Sequence, residues 1–375
     1  MTDSVTQIIN AYNPGAVLGE ATTPPASWYT DTRILSLEQR TVFSHCWLMA
    51  GRADQASKPE EYLTAQIAGE PILIIRGKDR VLRGFFNVCR HHAATVLTAP
   101  EGRVENLRCP YHGWTYDLQG ALIHTPEFGG ANFDRAANGL VPVEVAQWES
   151  WVFARLQPGG PPLDEFIGRD LIERFKPLQV EQFKWFERRS YTLQCNWKVF
   201  VDNYLDGGYH VPQVHRGLSS VLDPAKYRIE TGARYCLQWS PIASGKGKAG
   251  TAGVRSGDRA LYYWIYPNIM INIYEGVMDT NLVLPLAVDR TQVVFDYYFV
   301  DVSESARERN LASIAVSEQI QTEDAAICES VQRGLASRAY HSGRLSVRRE
   351  AGEHLFHRLL HADLKTAVTD ATSLE

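Results

Sequence analysis

At 375 residues, 45% apolar and 22% charged with a formal net charge of -5, the chain is long enough for two domains that each bury a core. Its mild acidity and lack of a basic block argue against nucleic acid as a partner and suit a cationic small substrate. No stretch approaches the ~18 apolar residues of a membrane span and no basic-then-apolar leader opens the chain, so a soluble, cytoplasmic protein with no membrane partner is expected.

Residues 35–46 have helical spacing, after which the pattern turns to period two. EYLTAQIA, PILIIRG and VLRGFFNV read as short strands rich in β-branched and aromatic residues, and WTYDLQGALI reads as a hairpin turning at Asp117 to Gly120. In LQPGGPPLDEF, residues 156–166, Pro and Gly break both helix and strand and mark a domain boundary. Beyond it, strands are expected at 190–195, 259–266, 269–275, 279–286 and 291–300, with a long helix over 304–336. This is an α+β pattern built on an antiparallel sheet, without an internal repeat.

The six cysteines are scattered, which reads as free thiols plus one metal site rather than a disulfide frame. Cys89, His91, Cys109 and His112 fall as C-x-H, seventeen residues, then C-x-x-H, on loops leaving the first β-rich region. Thiolate and imidazole together suit zinc or iron-sulfur iron. One Cys and one His per loop favours a Rieske [2Fe-2S] cluster, in which two His replace two Cys on one iron; a closed Cys2His2 zinc site is the rival. Pro110, Gly113 and Trp114 would stiffen and shield the second loop. His92, beside His91, is read as turned away from the metal.

In NWKVFVDNYLDGGYHVPQVH, His210 and His215 are five apart, about 140° around an ideal helix. They can meet only if the backbone is distorted, which Gly207, Gly208 and Pro212 can supply; otherwise they are ordinary core or surface histidines. In QTEDAAICESVQRGL, Ile327, Cys328, Val331 and Leu335 form an apolar stripe with Asp324 on it. A carboxylate on a buried face needs a partner, and a metal would serve. The alternative is that Thr322 caps a new helix and Glu323 and Asp324 sit in its first turn. His210, His215 and Asp324 together would be the 2-His-1-carboxylate triad of non-haem Fe(II) oxygenases.

With both constellations present, the sequence resembles the Rieske non-haem iron oxygenases of α-subunit type, from Trp28 to about Leu364. TPPASWYTD, CNWKVFVDNYLD, YPNIMIN, MDTNLVLPL, VVFDYYF and CESVQRGL are similar to the choline monooxygenase branch, whose plant members oxidise choline to betaine aldehyde with reduced ferredoxin. The resemblance implies an N-terminal arm (1–45) packing on the catalytic domain, a Rieske domain (46–160) and a helix-grip domain with mononuclear iron (161–375), in a ring of three subunits. It implies an acidic bridge between a cluster His of one subunit and an iron His of the next. Asp206 is assigned that role with Asp202 in reserve, because the family's common position, three before the first iron His, is Gly207. Arg commonly follows the first cluster His in the family, where this chain has His92. Asn203 is placed beside the iron, with an ordinary Asn in a helical turn as the alternative.

Quaternary ammonium groups are held by aromatic faces, and Tyr263, Trp264, Tyr266 and Tyr274 on the expected central strands are the candidates, with ordinary sheet core as their alternative. The expected activity is therefore O2-dependent oxidation of a small quaternary ammonium compound, choline first. Hydroxylation or demethylation of an aromatic or another methylammonium substrate, such as carnitine or a betaine, is the second reading. A pure electron carrier and a zinc-stabilised binding module are the readings from other classes. No nucleotide-binding glycine fingerprint is present, so electrons are expected from a separate ferredoxin or flavoprotein reductase.

Overall fold

The structure, a computed structural model, describes residues 3–129, 133–219, 222, 225–242 and 257–372. It divides into two compact units, Gln39–Phe166 and Met1–Glu38 with Ile167–Glu375. The later division falls at the end of the Pro/Gly segment.

In the first unit, strands β1 (Leu48–Arg52), β2 (Glu61–Ile67), β3 (Glu70–Arg76), β4 (Leu82–Phe86), β5 (Glu101–Arg103), β9 (Pro142–Trp148) and β10 (Trp151–Arg155) form one sheet in the order β1-β10-β9-β4-β3-β2-β5. A smaller sheet holds β6 (Leu107–Arg108), β7 (Thr115–Tyr116) and β8 (Leu122–His124). Ile72 to Ile75 on β3 are fully buried, so a continuous β-branched run becomes a central strand. The hairpin turn closes where expected, the Gly120 N–H donating to Asp117 O. The Cys89 loop follows β4 and the Cys109 loop joins β6 to β7.

The second unit is a seven-stranded antiparallel sheet of β11 (Lys184–Leu193), β12 (Arg228–Thr231), β13 (Tyr235–Pro241), β14 (Arg259–Ile265), β15 (Ile269–Tyr274), β16 (Val277–Ala287) and β17 (Arg290–Phe299). Its order, β11-β17-β16-β15-β14-β13-β12, is a meander closed at one edge by β11. Helices α1 (Trp197–Leu205), α2 (Val211–Val214), α3 (Arg307–Leu335) and α4 (Ala351–Thr372) complete a helix-grip arrangement. The expected helix over 35–46 is two pieces, Thr32–Arg40 and Val42–His45. Strands β12 and β13 and helix α4 were not expected from the sequence. The long helix is continuous through Thr322, whose Oγ1 donates to Glu318 O, so no new helix begins there. The expected apolar stripe is half right: Cys328 and Leu335 are buried, whereas Ile327 is 37% and Val331 45% exposed. Among the described residues no helix is long and apolar enough to cross a membrane.

Helix α1 is anchored by a buried ion pair. Lys198 Nζ lies 2.7 Å from Glu38 Oε1, both side chains are fully buried, and Trp197 Nε1 donates to Glu38 Oε2 at 2.8 Å. Burial works against both charges, pushing the Glu38 carboxyl up and the Lys198 amine down. Removing one partner of such a pair is costly, while an apolar pair of similar size is tolerated. Glu38→Leu alone is expected to cost about 3–5 kcal/mol in denaturant unfolding, and Glu38→Leu with Lys198→Met to recover most of it.

Candidate active site

The two Cys/His loops are built alike. In the first, the Cys89 N–H donates to Ala94 O and the Ala93 N–H to Cys89 O; in the second, Cys109 N–H donates to Trp114 O and Gly113 N–H to Cys109 O. Each turn passes through positive φ at the residue four after its cysteine, Ala93 at 58° and Gly113 at 73°. Cys89 and Cys109 are buried at 3% and 2% exposure, and burial pushes the Cys109 thiol up. Tyr116 Oη lies 3.3 Å from Cys89 Sγ and accepts from the Arg90 N–H at 3.0 Å. His91 stacks on Trp114 with centroids 4.6 Å apart, and the His91 and His112 rings meet at 4.7 Å.

Two features decide which metal fits. Ligand atoms around one zinc ion lie within about 4 Å of one another, given bonds of about 2.0–2.3 Å. All four side chains are among the described residues, yet no three of them bring ligand atoms within 4.8 Å. A set more open than one tetrahedral ion needs suits a two-iron cluster, which these two thiols and two imidazoles could hold. The buried Nδ1 of His91 has no hydrogen-bond partner among the described residues, as a ligand nitrogen awaiting metal would not. His92 does not turn away: its exposed ring lies 4.1 Å from that of His91 and 5.5 Å from that of His112, on the same edge.

In the second unit, α1 ends at Leu205 with Asp206 as its cap. Asp206 accepts from the backbone N–H groups of Tyr209 (3.1 Å) and His210 (2.9 Å), and its Oδ2 lies 2.6 Å from His210 Nδ1. Gly207 and Gly208 turn the chain at φ of 69° and 67°. A Cβ on Gly207 would fall 2.2 Å from Arg349 O. That contact bars any side chain from 207, which is a physical reason for an acid one residue earlier. His210 and His215 meet, 4.9 Å between centroids, because α2 spans only Val211–Val214. One ring precedes the short helix and the other follows it, so the separation expected on a continuous helix does not apply.

Both imidazoles converge on Asp324 of α3, with Oδ1 3.0 Å from His215 Nε2 and 3.6 Å from His210 Nε2. Asn203 Nδ2 donates to the same oxygen at 2.8 Å. His215 Nδ1 lies 2.7 Å from Glu323 Oε2, a partner that sequence reasoning missed although it adjoins Asp324. Each histidine thus has a carboxylate on Nδ1 and presents Nε2 inward, the arrangement that orients imidazoles on a metal. Burial alone would lower the His215 pKa, but Asp324 and Glu323 outweigh it and hold it raised. Two imidazoles and one carboxylate within 4.8 Å suit a non-haem Fe(II) site with open positions. Asp202, the reserve bridge, faces elsewhere: it accepts from Tyr29 Oη at 2.7 Å and pairs with His357 Nε2 at 2.9 Å.

The triad opens into a cavity of ≈ 790 Å³ including its mouth. Phe200, Tyr204, Tyr227, Tyr262, Tyr274 and Phe295 supply aromatic walls, and Asn272, Asp279, Asn281 and Gln321 supply polar ones. Of the four aromatic residues expected to contact substrate, only Tyr274 lines it. Tyr263 alternates to the opposite face and packs on Phe175 at 4.7 Å. Trp264 is fully buried against Phe356, and Tyr266 donates to Asp363 at 2.6 Å. These three are core, as aromatic residues in strands commonly are; period two names Tyr262 in place of Tyr263.

Residues 46–142 match the Rieske [2Fe-2S] domain and 180–365 the ring hydroxylating alpha subunit catalytic domain. The chain is 39% identical to the chloroplastic choline monooxygenase of Arabidopsis thaliana, over 96% of this chain and 87% of that one. It is 31% identical to the carnitine monooxygenase oxygenase subunit of Escherichia coli, over 86% of each. A solved structure of a quaternary ammonium Rieske monooxygenase superposes with a TM-score of 0.83 at 27% identity, covering 97% of this chain and 99% of that one. The chain belongs to the Rieske non-haem iron oxygenases, as a monooxygenase with a Rieske [2Fe-2S] cluster and a mononuclear iron.

Because Glu323 sets the tautomer of His215, Glu323→Gln is expected to weaken iron binding about 10–100-fold in chelator competition while leaving cluster absorption unchanged. Unaltered iron affinity would remove Glu323 from the site.

Proposed function

We propose that this chain is the oxygenase component of a monooxygenase for small quaternary ammonium compounds, with choline, oxidised to betaine aldehyde, as its lead substrate. The observation that carries this reading is one cavity holding His210, His215 and Asp324 together with four tyrosines and two phenylalanines. Aromatic faces attract a desolvated cation by up to about 2 kcal/mol per contact. The relatives named for choline and carnitine support the same class of substrate.

Cys89, His91, Cys109 and His112 hold the cluster, and His210, His215 and Asp324 hold the iron, which when bound supplies O2 activation with electrons from the cluster. Choline, O2, two electrons and two protons give the hydrated aldehyde and water, and the hydrate loses water to betaine aldehyde. The residues 46–160 receive electrons from a separate ferredoxin or flavoprotein reductase, and 161–375 bind substrate. In a homotrimer, Asp206 connects a cluster histidine of one subunit to His210 of the next. Its 2.6 Å contact with His210 Nδ1 supports that role, as does the inter-subunit electron transfer described for the solved quaternary ammonium monooxygenase.

The first test is substrate-dependent O2 uptake across choline, carnitine, betaines and simple aromatic acids. Choline is expected to give uptake matched by betaine aldehyde; uptake matched only by carnitine or betaine products supports the second methylammonium reading, and coupling to aromatic acids alone contradicts both. Asp206→Asn, assayed at saturating iron so that any loosened binding is not limiting, is expected to keep the cluster yet lower turnover about 10–100-fold or more. Normal coupled turnover in that variant removes the bridge.

A further inference from the structure

Asp279 on β16 is 1% exposed and takes no part in holding either metal. The register sets Gln238 against Tyr262, Tyr262 against Asn272 and Asn272 against Asp279. Directly opposed residues share a sheet face, so these four side chains form one row across four strands, and all four line the cavity. The hydrogen bonds of the row run one way. Tyr204 Oη donates to Asn272 Oδ1 at 2.8 Å, Asn272 Nδ2 donates to Asp279 Oδ1 at 2.8 Å, and Asn281 Nδ2 donates to the same oxygen at 2.9 Å. With the Asn272 oxygen engaged by a phenol, its amide is committed as a donor, and the row ends on the Asp279 carboxyl.

The two amides fix the Asp279 carboxyl at the wall of a cavity whose other faces are largely aromatic, a setting that attracts a cation. A quaternary ammonium group has no N–H to donate, so it pairs with a carboxylate as a bulky charge, which an oxygen already carrying two amide hydrogens permits. Gln321 supplies a second, independent observation. It is 2% exposed, lines the same cavity, and its Nε2 has no partner among the described residues. It precedes Asp324 by three residues on α3, hence lies on the same helix face.

We propose that Asp279 seats the cationic head of the substrate and that Gln321 donates to its oxygen-bearing end beside Asp324. The cavity then selects a small cationic alcohol and turns its carbinol carbon toward the iron triad. This inference rests on the quaternary ammonium reading and deepens it.

The test is calorimetric binding to iron-loaded enzyme, without an electron donor, of choline and of 3,3-dimethylbutan-1-ol, its neutral isostere with carbon in place of nitrogen. The wild type is expected to bind choline at least about thirtyfold more tightly than the isostere. Asp279→Asn is expected to lower that ratio at least about tenfold, and Asp279→Glu, which keeps the charge, to hold it within about threefold of the wild type. Gln321→Leu should weaken both alcohols alike, by about 2–12-fold, because both carry the hydroxyl. A wild-type ratio under about three, or an unchanged ratio in Asp279→Asn, overturns the seat. If Asp279→Asn loses the cooperative thermal unfolding of the wild type and so its fold, Asp279→Glu decides: a kept ratio supports the seat and a lost one overturns it. Undiminished binding in Gln321→Leu overturns the second contact. Failure of the substrate reading itself would show differently, as wild-type protein that binds neither alcohol while taking up O2 with another substrate class.

Discussion

Two imidazoles gripped from behind by carboxylates are what the catalytic unit is organised to produce. His210 is held by Asp206 and His215 by Glu323, each through Nδ1, so both Nε2 atoms face Asp324. An imidazole without such a partner can choose either tautomer and rotate, whereas one hydrogen-bonded at Nδ1 keeps its Nε2 lone pair aimed at the metal. The surrounding elements serve that placement. Helix α1 is anchored by the Lys198–Glu38 pair and ends on Asp206, the glycine turn clears Arg349 O, and the four residues of α2 set the spacing of the two rings.

The cluster loops solve a different problem with the same economy of parts. Two similar turns bury one thiol each and leave one imidazole each near the surface. A cluster held there would have its sulfur-ligated iron shielded and its histidine-ligated iron near the surface, the asymmetry an electron relay uses. Trp114 backs His91, and Tyr116 lies against Cys89, so hydrogen bonding and burial around the first pair of side chains come from the Cys109 loop and the strand that follows it. Such surroundings tune a cluster's potential. His92 on that edge places a further imidazole beside His91 and His112.

Much of this was legible in the residue order because the chemistry is local. C-x-H and C-x-x-H are short spacings, and the strands from Glu61 to Phe86 and from Arg259 to Phe299 show the expected alternation or continuous apolar runs. What escaped depends on side chains that meet across the fold. The buried face of the Asp324 helix mixes Ile314, Cys328 and Leu335 with Asn310, Ser313, Ser317 and Gln321, and hydrophobic periodicity is blind to the polar part. Glu323 could be read as a helix-face acid until His215 was seen beside it. Period two puts Tyr262 rather than Tyr263 on the cavity face, and Trp264 and Tyr266 are taken by packing against neighbours that sequence spacing does not reveal.

The central claim is that one polypeptide combines a sulfide-bridged iron pair with a separate iron held by His210, His215 and Asp324. Iron and acid-labile sulfide per chain test it most directly, in the wild type and in the His210→Ala, His215→Ala double variant reconstituted in parallel. The account predicts about three irons and two sulfides in the wild type, and about two irons with both sulfides in the variant. Protein without sulfide, or a double variant that keeps its full iron content, would contradict it.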